Sequence, residues 1–256
     1  MQLHQSTWAE VEKYLESSKG IVLPIGSTEQ HGPNGLLGTD ALCPEVIAKH
    51  AGDESGILVG PTFNVGIAQH HMAFKGTLTL RPSTMIAAMY DWAASLRRHG
   101  FENIYWLNGH GGNIATINAA FAEIYSDGSL DASDPSNSGS GGSNAATLKL
   151  KLVNWWELPG IFNMCKQMYP KGHGSHATPS EVSVTYYAYP DAVKDVEMSP
   201  KIAPSGPIRD AADYRRRFPD GRIGSDPSLA NVQDGEKLVK ASAKALIDDF
   251  GKFVAS

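Results

Sequence analysis

Positive charge is scarce in this chain. Only 22 Lys and Arg stand against 27 Asp and Glu, for a net charge of −5. No basic face is therefore available to neutralise phosphates, and nucleic-acid binding is excluded as a main role. Cysteine is scarcer still. Cys43 and Cys165 are the only two in 256 residues; they do not make a disulfide scaffold and fit free thiols in a reducing, cytoplasmic compartment. No apolar run approaches the ~20 residues of a bilayer-spanning helix, so no membrane span is expected. The opening "MQLHQSTWAEVEKYLESSKG" lacks a basic stretch followed by an apolar one and does not read as a signal peptide. There is no internal repeat.

What the chain does have is apolar residues, at 41% of the total. That is enough for one large core, and a single domain over 1–256 is expected. Residues 7–18 read as a short helix capped by Thr7, with Trp8, Val11 and Leu15 on its inward face. "GIVLPIG" (20–26) and "GILVGPTFNVG" (56–66) read as buried strands, with a helix around Ala41 to His50 between them in which Pro44 is tolerable only near the first turn. A helix over 83–100 is capped by Ser83, buries Met85, Met89, Trp92 and Leu96, and stops at Gly100. Then come a strand (101–109), a helix (113–125), a flexible low-complexity insert (126–147), a strand resuming at 148–156 and a closing amphipathic helix (234–254) that turns Leu238, Ala245, Leu246 and Phe250 inward. Such strand–helix alternation signals a mostly parallel α/β sheet.

Histidine is the compositional oddity, with nine residues, most of them concentrated in four segments. In "EQHGPNGLLGTD" (29–40), Glu29 and His31 are two apart at a strand end, so extended backbone would send both to one side. Carboxylate and imidazole together suit a divalent transition metal. Asp40, beyond a stiff Gly/Pro loop, has two oxygens with which to bridge two ions. The competing reading is that Thr39 or Asp40 merely caps the following helix while Glu29 and His31 pair. In "NGHGGN" (108–113), a strand–helix turn of the kind where α/β sheets bind ligands, His110 is the strong ligand. The spacing matches neither phosphate-binding loop. In "GHGSHATPSEVS" (172–183), Thr178, Pro179 and Glu181 form a capping-box pattern. Alternatively His176 is a proton shuttle and Glu181 a ligand or catalytic carboxylate. In "AQHHMAFKGTLTL" (68–80), adjacent histidines on a strand face opposite ways, so one, taken as His71, enters the pocket.

Together "LPIGSTEQHGPNGLLGTD" (23–40), "HHMAFKGT" (70–77), "NGHGGN" (108–113) and "HATPSEVS" (176–183) resemble the creatininase (creatinine amidohydrolase) family. The resemblance implies one three-layer α/β/α domain, commonly assembled as a homo-hexamer, with a site at the carboxyl ends of the strands. It implies two divalent ions, Zn or Mn first and Fe as a third choice, bridged by an aspartate. Carried over, Glu29 and His110 would hold one ion and His31 the other, with Asp40 between them. His176 falls at the family's catalytic histidine and Glu181 at a functional carboxylate. Departures are also plain. Gly112 stands where creatininases carry Glu, leaving Glu181 to complete the second ion's ligand set. Asn34 replaces a common His, His70 a frequent Glu and Lys75 a frequent Pro. The Trp that precedes the catalytic histidine is absent, and Trp155 and Trp156 are expected to supply an aromatic wall instead.

The implied chemistry is hydrolysis of a C–N bond in a small amide, cyclic or formamide-type, by a water activated between two cations, with His176 protonating the leaving nitrogen. Creatinine is one candidate substrate, and the family also holds a peptidase. The alternatives are a catalytically silent metal-binding or regulatory relative and a plain α/β small-molecule binder. The last leaves "EQHGPNGLLGTD" without a purpose.

Overall fold

The structure is a computed structural model that describes residues 1–127 and 148–256. Of the expected insert at 126–147, residues 128–147 lie outside the described part. Three parallel strands, β1 (Gly20–Ile25), β2 (Asn103–Asn108) and β3 (Lys149–Asn154), pair in the order β1-β2-β3. The register puts Gly20 opposite Asn103 and Asn103 opposite Lys149, so all three strands end level at Ile25, Asn108 and Asn154. Side chains alternate between two buried faces, as expected of a parallel sheet sandwiched by helices. Val22, Tyr105 and Leu107 face α2 (Thr39–Ser55), α5 (Ile161–Met168), α6 (Pro179–Ala188) and α7 (Val232–Ala255). Ile21, Leu23, Ile25, Ile104 and Trp106 face α3 (Pro82–Arg98) and α4 (Ile114–Ser126). This is the expected three-layer α/β/α arrangement.

The segment at 56–66 departs from the reading as a strand. It runs beside β1 and bonds at both ends, Val22 N–H to Leu58 O (3.0 Å) and Gly26 N–H to Phe63 O (2.9 Å), but only single bridges form. Pro24 has no N–H to offer this side of β1, and Pro61 sits in the stretch opposite. Between the bonds of Val22 O to Gly60 N–H and Pro24 O to Phe63 N–H, two steps of β1 face three of the segment, a bulge at the prolines.

The helices hold other corrections. α1 (Trp8–Leu15) has the expected Thr7 cap, reciprocated by Glu10, but Trp8 is 77% exposed and outside the core. α3 starts at Pro82, whose fixed φ suits the first helical position, and Ser83 makes no cap. In α7, Leu238, Leu246 and Phe250 are buried as expected, and Ala245 only partly.

α2 matters most. It begins at Thr39, capped by neither Thr39 nor Asp40 but preceded by Gly38, and it runs on to Ser55 with Pro44 inside it. Pro44 offers no N–H to the Asp40 carbonyl four residues back. That carbonyl is packed against the strand ends: a Cβ on Gly26 would lie 2.1 Å from it, and one on Gly109 1.9 Å. Gly109→Ala therefore forces α2 off the sheet, and chemical denaturation is expected to show a loss of about 3 kcal/mol. Gly111→Ala, with nothing within 4 Å of its added methyl, should stay within about 0.5 kcal/mol of the parent.

Candidate metal centre

All three strands deliver the site from their carboxyl ends, where open α/β sheets place ligands. β1 continues into Ser27, Glu29 and His31, β2 into His110 and β3 into Trp155 and Trp156. The main chain there is pinned by buried amides. Asn108, the last residue of β2, takes a bond from His110 N–H and gives one to His110 O, and reaches Asn154 at the end of β3. Asn113 binds Gly26 O and receives Ile67 N–H. The loop after β1 is closed by Glu29 N–H to Leu37 O at 2.7 Å and by Gly35 N–H to His31 O.

Glu29, His31 and Asp40 meet in one buried cluster, and Glu29, His71 and His176 in another, each with its candidate ligand atoms within 4.8 Å of one another. Asp40 lies between two imidazoles, with Oδ1 2.9 Å from His31 Nε2 and Oδ2 2.7 Å from His110 Nδ1. Glu29 likewise has Oε1 2.9 Å from His71 Nε2 and Oε2 3.2 Å from His110 Nε2, while Ser27 donates to Oε2. Yet Glu29 Oε1 and Asp40 Oδ2 make no hydrogen bond among the described residues, although both are buried. Their imidazole neighbours are near enough but wrongly directed.

The far nitrogens explain the arrangement. His31 Nδ1 donates to Glu29 O at 3.1 Å and His110 Nε2 to Ile67 O at 2.9 Å. Each bond fixes the ring and turns its other nitrogen toward Asp40, which is how metal-binding histidines are held; in the metal-free protein His31 Nε2–H donates to Asp40 Oδ1 at 2.9 Å. Glu29 Oε1 and Asp40 Oδ2, buried without an aligned donor beside these imidazoles, fit a divalent cation by chemistry and by placement.

Burial alone would push the carboxyls up and the imidazoles down, and the charges in the cluster then sort them. Burial raises Glu29 to about 8. Asp40 is held well below the carboxylate range because His31 and His110 overcome its burial. Burial pulls His31 and His110 down, but the carboxylates, Asp40 for His31 and Glu29 first for His110, lift them to about 10 and about 9. Burial, aided by the His31 charge, takes His176 well below the usual imidazole range.

The remaining expected residues divide. Glu181 does close the capping box, Oε1 accepting Thr178 N–H at 2.5 Å, yet the same oxygen is 4.0 Å from His31 Nε2. The two roles were expected to exclude each other; a carboxylate has two oxygens, and Oε2 makes no hydrogen bond among the described residues. Burial raises this carboxyl to about 7. His176 donates from Nε2 to Gln30 O (2.8 Å), leaving Nδ1 4.0 Å from Glu29 Oε1. Ala177, at φ 53, turns the chain sharply from His176 into α6. Trp155 and Trp156 line a cavity of about 380 Å³ that opens onto Asp40, His110, His176 and Glu181. His71 does not line it, contrary to expectation. It lies buried behind Glu29, with Nδ1 accepting from Gln30 Nε2 at 2.9 Å.

Gln30 is the residue the sequence hides. Its side-chain oxygen takes Gly32 N–H, which orients the amide, and its Nε2 lies within hydrogen-bond distance of His71 Nδ1, the Tyr214 hydroxyl and Gly221 O, more acceptors than its two hydrogens serve at once. A neutral amide between two obvious ligands carries no signal of its own; its position inside "EQH" was the only clue.

A family model described as "Creatininase: Creatinine amidohydrolase" matches residues 4–250. The chain belongs to the creatininase family. Among its relatives is the creatinine amidohydrolase of Pseudomonas putida, 24% identical over 259 residues, which are 94% of this chain and 93% of that protein. A mycofactocin precursor peptide peptidase of Mycobacterium tuberculosis is 29% identical over 122 residues, 44% of this chain and 48% of the relative. A solved structure described as "Creatininase Mn" superposes with a TM-score of 0.82 at 23% identity, and a "Zn-Zn type" creatininase variant with 0.81 at 22%; each comparison covers 98% of both chains. These structures share the fold.

Within the creatininase family the Gly112 departure has a physical correlate. A Cβ there would lie 2.3 Å from His110 Nε2 and 2.7 Å from Ile67 O, in the middle of the bond that aims His110. Metal loading of this family member must also displace protons, since His31 (about 10) and His110 (about 9) are charged at neutral pH in the metal-free protein. Raised pKa values mean protons compete more strongly as pH falls. Zn affinity is therefore expected to rise from pH 6 to 8, and calorimetry in buffers of different ionisation enthalpy should find about three protons released per chain at pH 7, from His31, His110 and Glu29 (about 8). A flat affinity profile would contradict the charge assignment.

Proposed function

We propose that this creatininase-family amidohydrolase is a metal-dependent enzyme that hydrolyses a C–N bond in a small amide, cyclic or formamide-type, with creatinine to creatine as one candidate. The carrying observation is Asp40, whose two oxygens each face an imidazole nitrogen while the opposite nitrogens are tied to backbone carbonyls. Asp40 would bridge two divalent ions, with Glu29 and His110 on one and His31 on the other, joined by the free oxygen of Glu181. The Mn and Zn–Zn descriptions of related structures favour those metals, and carboxylate–imidazole donors also accept Fe. When bound, the ions supply Lewis-acid activation of water and of the amide carbonyl.

The chain's own residues do the rest. His176 keeps Nε2–H on Gln30 O, so Nδ1 is the basic atom at the site. It is suited to take a proton from the attacking water and return it to the departing nitrogen, whose anion leaves poorly. Gln30 holds that tautomer, and with His71 it backs Glu29. Trp155 and Trp156 exclude water from one side of the cavity. The homo-oligomer implied by the family resemblance has support in exposed apolar side chains such as Trp8 and Leu78, and a cytoplasmic site of action in the two buried free thiols.

Asp40→Ala is expected to lose at least one ion by elemental analysis and nearly all turnover. His176→Gln should keep its metal but lose about 10²- to 10⁴-fold in kcat. Turnover of creatinine by the Mn- or Zn-loaded protein, read as creatine, tests the candidate substrate. Retained metal without turnover of any amide would favour the catalytically silent reading that Gly112 suggests.

A further inference from the structure

The strap of chain that lies against His176 contains a charge the hydrolytic reading does not use. Arg222 is completely buried, and a guanidinium there costs free energy unless it is paired and hydrogen-bonded. Each of its nitrogens has a partner. Nε donates to Asp220 Oδ2 at 2.8 Å, and Nη2 lies 2.7 Å from the same oxygen while donating to Pro200 O at 2.8 Å. Nη1 donates to Lys201 O at 2.9 Å and to Ser225 O at 3.1 Å. One planar fork thus clamps both ends of the turn at 220–225 and fastens it to residues 200–201. The stem is wedged as well: a Cβ on Gly32, in the loop that carries Glu29 and His31, would lie 2.8 Å from Arg222 Cγ.

What the clamped turn holds is the main chain of His176. Ser225 Oγ donates to His176 O at 2.6 Å. Ile223 bridges the same stretch, its carbonyl accepting Ser175 N–H at 3.0 Å and its N–H reaching His176 O at 3.4 Å. These bonds sit directly before Ala177, whose φ of 53 lies where residues other than glycine are uncommon. Such a conformation is strained and persists only where its surroundings over-determine it. Freed from the strap, the turn can relax, and the imidazole moves with the main chain that carries it.

We propose that Arg222 is a positioning residue for His176: by clamping the turn at 220–225 it fixes the main chain that keeps Nε2–H on Gln30 O and Nδ1 toward Glu29. This rests on the amidohydrolase reading and adds to it a residue that touches no reacting group. Lysine cannot stand in, because a compact ammonium on a flexible stem does not span carbonyls on both sides of a planar fork. Stability alone gives no reason for a guanidinium here, since well-packed apolar groups in place of a buried ion pair are often neutral or stabilising.

The test uses the Zn-loaded protein with isotope-labelled histidine, as the parent, Arg222→Lys and Ser225→Ala, with His176→Gln to assign the signal. Long-range proton–nitrogen NMR correlations tell the two imidazole tautomers apart. The parent should show His176 as the Nε2–H form alone. In Arg222→Lys its signals should shift toward a mixture of tautomers while those of His31 and His110 stay in place. Ser225→Ala removes one bond of the strap and should shift them the same way by less, so it decides the matter if Arg222→Lys does not fold. With creatinine as probe, kcat should fall about tenfold to a hundredfold in Arg222→Lys at nearly constant KM. Adding Arg222→Lys to His176→Gln should then cost no further kcat. A His176 signal unmoved in Ser225→Ala overturns the proposal, as does an equal displacement of all three histidines, the mark of general loosening. Failure of the hydrolase reading looks different: the His176 signals respond as described and no amide is cleaved.

Discussion

The site depends on how closely one helix can approach two strand ends. The Asp40 carbonyl sits where a Cβ on Gly26 or Gly109 would have to be, and Pro44 leaves that carbonyl without its usual helical donor. Only this three-way backbone contact lets the first turn of α2 wedge between β1 and β2. The Asp40 side chain then falls between His31, carried by the loop after β1, and His110, carried by the turn after β2. The Asn108, Asn113 and Asn154 amides serve the same purpose from the other side, fastening the strand ends so that the imidazoles cannot swing away.

Such a site opposes folding. Three carboxylates and several imidazoles are buried within a few ångströms, and some of their lone pairs have no aligned donor. Each group costs free energy to desolvate unless paired. The large apolar layers on both faces of the sheet must offset that cost, and a bound cation would return part of it by mass action. The same tension explains the pKa pattern. Asp40 stays ionised only because two imidazoles hold protons for it, while Glu29, with less compensation, drifts toward the neutral acid.

Much of this was legible in the residue order, and the rest was not for physical reasons. The parallel sheet follows from strand–helix alternation, whereas its two helical layers and the meeting of Glu29, His31, Asp40, His110, His176 and Glu181 were implied by the resemblance of four polar segments to the creatininase family. The edge segment after residue 56 misled because its apolar composition matches a buried strand, whereas the prolines at 24 and 61 remove the ladder. Trp8 misled because helical spacing says which residues share a face, not whether anything covers it. His71 was expected in the cavity and lies behind Glu29, since adjacent histidines leave the choice of direction to the tertiary fold. Gln30 was passed over because an amide's worth lies in which atoms it faces.

The level ending of the three strands bears on how the protein acquires its site. Parallel pairing joins residues 20–25 to 103–108 and those to 149–154, so the sheet closes long stretches of chain before any of its hydrogen bonds form. Contacts of that range slow folding. Of the cluster's residues, Glu29, His31 and Asp40 are neighbours in the unfolded chain, as are His176 and Glu181, while His110 lies far from both groups. A cation meeting that chain finds a fragment of a site, and the full set forms only with the sheet. A metal bound there would be a late arrival to a finished scaffold, unlike the ion of a zinc finger, around which the chain first gathers.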